Sequence, residues 1–344
     1  MTSPHTPELQ PIAQPFQKEN RLPSPTATPI ITPTSPTLTT PIQSITRDPI
    51  QQTFKQHISN NEPWGDSIYH KPTRCFRIYF QNINGIQPNR QGRWEHILKT
   101  MFELYKSDIG GLCETGLHWH NPTLQNKIKS MSRNLLKKPI HFQHSNNKSK
   151  TFTNFLPGGT LQLTKGNWTG RIVTHLRDPQ DMGRWSGIQY RNKGDTSLYV
   201  LSAYRPCPSP HHSLAQSNST YAQQYFMIKD NGEPRPDPRA QFITDLVGYI
   251  RAWRLKPKDK VILMMDANER IGGEKEGISR LLKDTGLVDI FSLHKASSCT
   301  IATHNKGTHR IDFMFGTSTY YHTSISVGTP PSIKTSFPII AEYL

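Results

Sequence analysis

Cysteine is scarce in this chain and nowhere clustered. The four, Cys75, Cys113, Cys207 and Cys299, form no Cys-x-x-Cys pair, which argues against a zinc ribbon or a dithiol redox motif and fits a reducing compartment. No apolar run is long enough to span a bilayer. The opening Met1-Thr2-Ser3-Pro4-His5 has no apolar stretch of the kind a secretory signal uses, so an intracellular location, nuclear or cytoplasmic, is expected. Acidic residues are few: 25 Asp plus Glu stand against 41 Lys plus Arg, a net charge of +16. That excess favours a polyanionic partner, either nucleic acid or an anionic membrane surface. The apolar share of 34% and aromatic share of 9% are low for a chain that is globular throughout. Residues 1–70 account for much of the shortage. Stretches such as Thr26-Ala27-Thr28-Pro29-Ile30-Ile31-Thr32-Pro33 are Pro/Thr-rich without a helical or strand period, as in a disordered tail. A single domain is expected over 71–344.

Within the domain, the most distinct stretch is Val261-Ile262-Leu263-Met264-Met265 running into Asp266-Ala267-Asn268-Glu269. A short apolar run bounded by polar groups reads as a strand buried on both faces. Asp266 and Asn268, two apart at its exit, project to the same side if the chain stays extended. Other expected strands also end in polar punctuation. Phe76–Phe80 runs into Gln81-Asn82-Ile83-Asn84-Gly85, Asp108–Cys113 into Glu114-Thr115, and Leu198–Ala203 into Tyr204-Arg205-Pro206. Arg171–His175, Trp185–Tyr190, Thr300–Thr303 and Arg310–Phe315 complete the strands, with Leu161-Gln162-Leu163 opened by Pro157-Gly158-Gly159-Thr160. Helices are expected over Trp94–Tyr105, Gln241–Leu255 and Ile278–Asp284 from apolar residues at i, i+3 and i+4, the last capped by Gly286. Residues 121–138 read as a weak basic helix whose Lys127, Lys129, Arg133, Lys137 and Lys138 form a solvated face or contact phosphates. Cys207–Arg239 reads as one long irregular stretch.

Asn82-Ile83-Asn84-Gly85, Gly111-Leu112-Cys113-Glu114-Thr115, Pro157-Gly158-Gly159-Thr160, Tyr204-Arg205-Pro206, Asp266-Ala267-Asn268 and Arg310-Ile311-Asp312 resemble, in this order, the motif series of the endonuclease/exonuclease/phosphatase superfamily. Within it the chain looks most like the apurinic-type endonuclease domains encoded by non-LTR retrotransposons. The resemblance spans about residues 75–315. It implies an α/β four-layer sandwich, deoxyribonuclease I-like, with two mixed β-sheets face to face and helices outside. It also implies phosphodiester cleavage of DNA dependent on Mg²⁺ or Mn²⁺. By that likeness Glu114 holds the metal with Asn84 beside it, and Asn82 and Asn268 organise the phosphate. Tyr204 contacts the scissile phosphate, Asp266 orients or deprotonates the attacking water, and Asp312 orients a histidine. The chemistry suits these residue types: Mg²⁺ takes few carboxylates with waters and phosphate oxygens, and amide and phenol donors stabilise charge on a pentavalent phosphorus.

The histidine itself is missing. Relatives close the domain with Ser-Asp-His, whereas this chain reads Lys334-Thr335-Ser336-Phe337-Pro338-Ile339-Ile340 and no His follows His322. Loss of such a group typically costs about 10²–10⁴ in rate. The expectation is therefore a retrotransposon-derived nuclease domain with its metal and phosphate motifs present and its turnover impaired, through decay or truncation of the C-terminal end. Two readings compete with it: a nucleic-acid-binding remnant without activity, and a phosphoesterase of the same fold acting on lipid phosphates.

Overall fold

The computed structural model describes residues 64–65, 70–73, 75–87, 91–148, 155–209, 214, 217–253, 255–294, 302–304, 309–318, 325–327 and 338–343, all within the compact unit Thr46–Leu344. In chain order the strands are β1 (Trp64–Gly65), β2 (Phe76–Asn82), β3 (Ile109–Cys113), β4 (Ile140–Ser145), β5 (Thr160–Lys165), β6 (Ile172–Arg177), β7 (Trp185–Arg191), β8 (Ser197–Tyr204), β9 (Lys260–Asp266), β10 (Val288–Asp289), β11 (Asp312–Gly316), β12 (Ile325–Val327) and β13 (Ile339–Tyr343). The helices are α1 (Gln91–Lys99), α2 (Pro122–Leu136), α3 (Thr220–Asp230), α4 (Pro238–Ala252), α5 (Ile278–Thr285) and α6 (Ile290–His294). Among the described residues the strands form a seven-stranded sheet, β1-β12-β13-β2-β3-β5-β4, and a six-stranded sheet, β10-β11-β9-β8-β7-β6.

The period of two along each strand divides the core into layers. In β9, Ile262 and Met264 pack between the sheets with Ile78 and Phe80 of β2. Val261, Leu263 and Met265 of β9 face outward onto Phe242, Leu246 and Ile250 of α4. On the other side, Tyr79 of β2 and Leu112 of β3 pack with Trp94 and Ile97 of α1 and Ile128 of α2. The result is helix on sheet on sheet on helix. It explains why the central strands read as continuous apolar runs: both faces are covered. The sheets approach closely at Gly111 of β3, where a Cβ would come within 2.5 Å of the Ser202 hydroxyl and 2.6 Å of Met264 Cε.

Two pairings decide where the polar strand ends collect. β2 runs parallel to β3, with Asn82 beside Cys113, and β8 runs parallel to β9, with Tyr204 beside Asp266. Antiparallel neighbours start at the same end: β5 with Thr160 beside Cys113, β11 with Asp312 beside Asp266, β13 with Ile339 beside Phe80.

Several elements depart from the sequence reading. Trp64–Gly65, inside the expected tail, pairs with β12, because a two-residue edge strand leaves no periodicity to see. Residues 1–63 and 66–69 lie outside the described residues, as do Thr300, Ile301, His322, Ser336 and Phe337; Ala302 and Thr303 are not strand. Cys207–Arg239 contains all of α3, capped by Ser219 accepting from the Ala222 N–H, and the start of α4, capped by Asp237. Helix α3 buries only Tyr221, Ala222, Gln224 and Ile228 beyond its first residue, too narrow a stripe to stand out. The helix expected over Trp94–Tyr105 loosens into a π-helical turn at Thr100–Leu104, closed by Tyr105 N–H to Thr100 O at 3.0 Å. Strands β4, β10, β12 and β13 and helix α6 were not foreseen. Helix α2 does form, with Leu124, Ile128 and Ser132 inward and Lys127, Arg133, Lys137 and Lys138 exposed.

Strand β13 is locked to β2 by a buried ion pair. Arg77 Nε donates to Glu342 Oε1 at 2.8 Å, and its other nitrogens reach the Tyr105 and His70 carbonyls. Arg77 is fully buried and Glu342 is 6% exposed. Removing one partner strands the other charge, at a cost of about 3–5 kcal/mol, whereas an apolar replacement of both is close to neutral. Arg77→Met should therefore lower the urea-unfolding free energy by about 3 kcal/mol, and Arg77→Met with Glu342→Leu should recover most of it. A double variant no more stable than the single one would show that the pair does not lock the strand.

Candidate active site

All seven residues singled out from the sequence lie at this common end of the two sheets. Asn82 ends β2, Tyr204 ends β8, Asp266 ends β9 and Asp312 starts β11; Asn84, Glu114 and Asn268 stand just beyond β2, β3 and β9. Three of them are conformationally unusual. Six non-glycine residues among those described have positive φ, and they include Asn84 at 45°, Glu114 at 50° and Asn268 at 49°. Left-handed backbone is uncommon outside glycine and persists only where the surroundings enforce it. Here the exits of β2 and β3 stay paired as they leave the sheet, with Gly85 N–H on Glu114 O and Ile86 N–H on Thr115 O, both 2.6 Å. The Pro157-Gly158-Gly159 turn backs them, accepting from Gly116 N–H at 3.0 Å and Thr115 N–H at 3.2 Å. Gly158 and Gly159 have φ of 78° and 81°. A Cβ on them would meet the Thr220 hydroxyl at 2.8 Å and the Thr115 hydroxyl at 2.9 Å, so this turn is glycine because the β3 exit and the start of α3 press against it.

Side-chain hydrogen bonds join the sheets here, the first from Asn82 Nδ2, which donates to Asp266 Oδ2 at 2.7 Å. Asn82 Oδ1 accepts from Asn84 N–H at 2.9 Å, and Asp266 Oδ1 accepts from Asn268 N–H at 3.1 Å. Tyr204 OH donates to Glu114 Oε1. Asn268 faces the β8 exit: its Nδ2 donates to Arg205 O at 2.8 Å and its Oδ1 accepts from Cys207 Sγ at 3.0 Å. Asp312 lies directly across from Asp266 in the ladder, 1% exposed, and neither carboxylate oxygen has a hydrogen-bond partner.

Three carboxyl groups thus converge on one spot in a protein of net charge +16. Burial pushes the Asp266 carboxyl up to about 7 and the Glu114 charge adds to this, against the Asn82 and Asn268 donors and Arg239. Burial, then the Asp266 charge, holds Asp312 well above the usual carboxylate range. The same causes raise the Cys207 thiol to about 11 and, with Glu114, the Tyr204 phenol. Beside them is a cavity of about 330 Å³ lined by Asn84, Glu114, Phe155, Tyr204, Cys207 and Tyr221 among others.

Among the described residues no three His, Cys, Asp or Glu side chains form a ready metal cage. Mg²⁺ does not need one, because it fills most of its shell with water and phosphate oxygens. Glu114 and Asn84 at the cavity, with the Asp266 and Asp312 carboxyl groups behind them, fit such an ion. Sequence reasoning did not assign Arg239, Cys207 or Phe155. Arg239 follows the Asp237-Pro238 cap signal of α4, which was legible; the other two left no local signal. No helix among the described residues is long and apolar enough to cross a membrane.

No family model and no curated protein matches the chain, but solved structures do. An AP endonuclease from Leishmania major superposes with a TM-score of 0.57 at 12% identity, covering 86% of this chain and 99% of that one. The human Nocturnin catalytic domain with bound sulfate gives 0.51 at 13% identity, covering 78% and 93%. An endonuclease/exonuclease/phosphatase family protein from Leptotrichia buccalis gives 0.50 at 14%, covering 78% and 99%. The fold is the deoxyribonuclease I-like sandwich of the endonuclease/exonuclease/phosphatase superfamily.

A carboxyl whose pKa is higher folded than unfolded supports the fold most below its unfolded value and loses that support as pH rises toward its folded value. Asp312 is such a group. Without added metal, Asp312→Asn should match the parent near pH 4 and be more stable at pH 8 by about 1 kcal/mol or more, read by urea unfolding. An equal difference at both pH values would mean that the Asp312 charge carries no penalty.

Proposed function

We propose that this chain is a divalent-metal-dependent phosphodiesterase domain acting on DNA, derived from a non-LTR retrotransposon endonuclease, with slow turnover. The observation that carries this is the convergence of Asn82, Glu114, Tyr204, Asp266, Asn268 and Asp312 at one end of both sheets, beside a cavity. Three carboxyl groups gathered at one spot, two of them with raised proton affinity from burial and neighbouring charge, suit a cation better than they suit a structural core.

Bound at Glu114 and Asn84, Mg²⁺ or Mn²⁺ would neutralise phosphate charge and stabilise the leaving oxygen. The remaining work falls to side chains. Asp266 accepts the proton of the attacking water, and the Asn82 amide holds its carboxylate in place. The Tyr204 phenol, within reach of the cavity, donates to a phosphate oxygen, and the Asn268 turn completes the polar wall. The P–O bond to the leaving oxygen breaks as the water oxygen adds to phosphorus.

Slow turnover is supported by what surrounds Asp312. Its oxygens have no hydrogen-bond partner, and no His follows His322 in the chain. If Ser336 keeps the register of the relatives' Ser-Asp-His, the chain carries Pro338 where the histidine would be. The same observation favours the second reading, a DNA-binding remnant without turnover. In either case the net charge of +16 should give DNA affinity that falls steeply with salt. A flat salt dependence, or tighter binding to phosphoinositide vesicles than to duplex DNA, would point to lipid phosphates instead.

Calorimetric titration should show Mg²⁺ or Mn²⁺ binding that Glu114→Ala removes. With metal, plasmid nicking should be slow, about 10²–10⁴ below that of an intact relative. Asp266→Ala should abolish it, EDTA should stop it, and Phe337→Asp with Pro338→His should raise it. Nicking that survives in Asp266→Ala sinks the mechanism, and no nicking under any condition leaves the remnant reading.

A further inference from the structure

We infer that Arg239, in the first turn of α4, is a positioning residue for Asn268. Its guanidinium fixes the exits of β8 and β9 against each other, and with them the place of the Asn268 amide. The inference rests on the hydrolytic reading only for the kinetic part of its test.

The guanidinium is a hub with donors in several directions. Nη1 donates to the Pro206 carbonyl on the β8 exit. Nη2 donates to the Asn268 carbonyl at 3.2 Å on the β9 exit and to Glu274 Oε1 at 2.6 Å, and Nε donates to the same Glu274 oxygen at 3.0 Å. Arg205 interlocks with it: its Nε donates to Arg239 O at 3.2 Å, and its Nη1 and Nη2 pair with Glu269 at 2.8 Å and Glu274 at 2.6 Å. The Arg205 backbone is tied to the site from both sides, by its N–H on Asp266 O at 2.9 Å and by Asn268 Nδ2 on its carbonyl at 2.8 Å. Arg239 is 5% exposed, Arg205 fully buried and Glu269 7% exposed. Two guanidiniums face two carboxylates, so the cluster is neutral and strongly hydrogen-bonded.

Asn268 needs such a clamp. Its φ of 49° is uphill for a residue with a Cβ, and its carbonyl is bound by Arg239. The guanidinium is engaged by Pro206, Asn268 and Glu274 and is 5% exposed, so it acts through Asn268 and not on a substrate. Lysine cannot replace it. An ammonium keeps the charge but lacks the planar fork that spans Pro206, Asn268 and Glu274 at once.

The test compares Arg239→Lys, Arg239→Met and Glu274→Gln with the parent in the full chain. Hydrogen exchange of the Asn268 side-chain amide, followed by NMR without metal or DNA, reads its position directly. Exchange should be about tenfold faster or more in both Arg239 variants. In Glu274→Gln, which leaves the bonds to Pro206 and Asn268, it should stay near the parent value. At saturating DNA, kcat of Arg239→Lys should drop about tenfold or more with KM within about twofold. Parent-like exchange in Arg239→Lys overturns the inference, as does parent-like kcat with an unmoved KM. If Arg239→Met does not fold, Arg239→Lys, with its charge retained, carries the comparison. If the parent chain does not nick DNA, the hydrolytic reading fails while the exchange result still decides the clamp.

Discussion

The Asn82–Asp266 hydrogen bond ties the two sheets of this protein together at the end where the polar strand exits collect. Around it the contact between them is largely apolar, through residues such as Ile78, Phe80, Ile262 and Met264, with further polar links from Thr160 to Ser186 and from Gln162 to Tyr190. Placing a carboxylate at the edge of such a layer is costly unless donors meet it. Asp266 has two, the Asn82 amide and the Asn268 N–H, and still sits near pH 7. The geometry follows from strand direction. Because β2 and β3 are parallel, as are β8 and β9, four polar exits gather at one end without any strand having to bend.

Charge is distributed in two opposed ways. The chain as a whole is strongly basic, which suits long-range attraction of a polyanion. At the convergence point the sign reverses: burial and the Glu114 charge raise the proton affinity of Asp266, and burial with the Asp266 and Glu114 charges raises that of Asp312. A basic chain around an acidic point is the distribution that the proposed metal-assisted phosphodiesterase would use. In that reading the polyanion would be drawn to the protein, and a small cation would be held where the phosphate must lose charge.

Rigidity at this end comes from backbone that is itself uphill. Asn84, Glu114 and Asn268 hold left-handed φ values, each secured by a neighbour: the paired β2 and β3 exits, the Gly158-Gly159 turn, and the Arg239–Arg205 cluster. Packing holds the sheets together, but these polar clamps decide where each side chain points.

By itself the sequence determined the strands buried on both faces, because runs such as Val261–Met265 admit few other structures. It also determined the identity of the polar residues that follow them, since order along the chain survives without coordinates. The helix capped at Gly286 was equally legible from local chemistry. Strand β1, helix α3 and strand β13 were not, because their evidence is a partner elsewhere in the chain: Val327 for Trp64, the Gly158-Gly159 turn for Thr220, Phe80 for Ile339. The same holds for the site. Asp266, Asp312 and Asn82 could each be named from the sequence, but only tertiary structure set Asp312 opposite Asp266, left its oxygens without a donor, and ran Arg239 between two strand exits. Hydrogen-bond partners and desolvation are properties of the space around a residue, and that space is filled by segments far away in the chain.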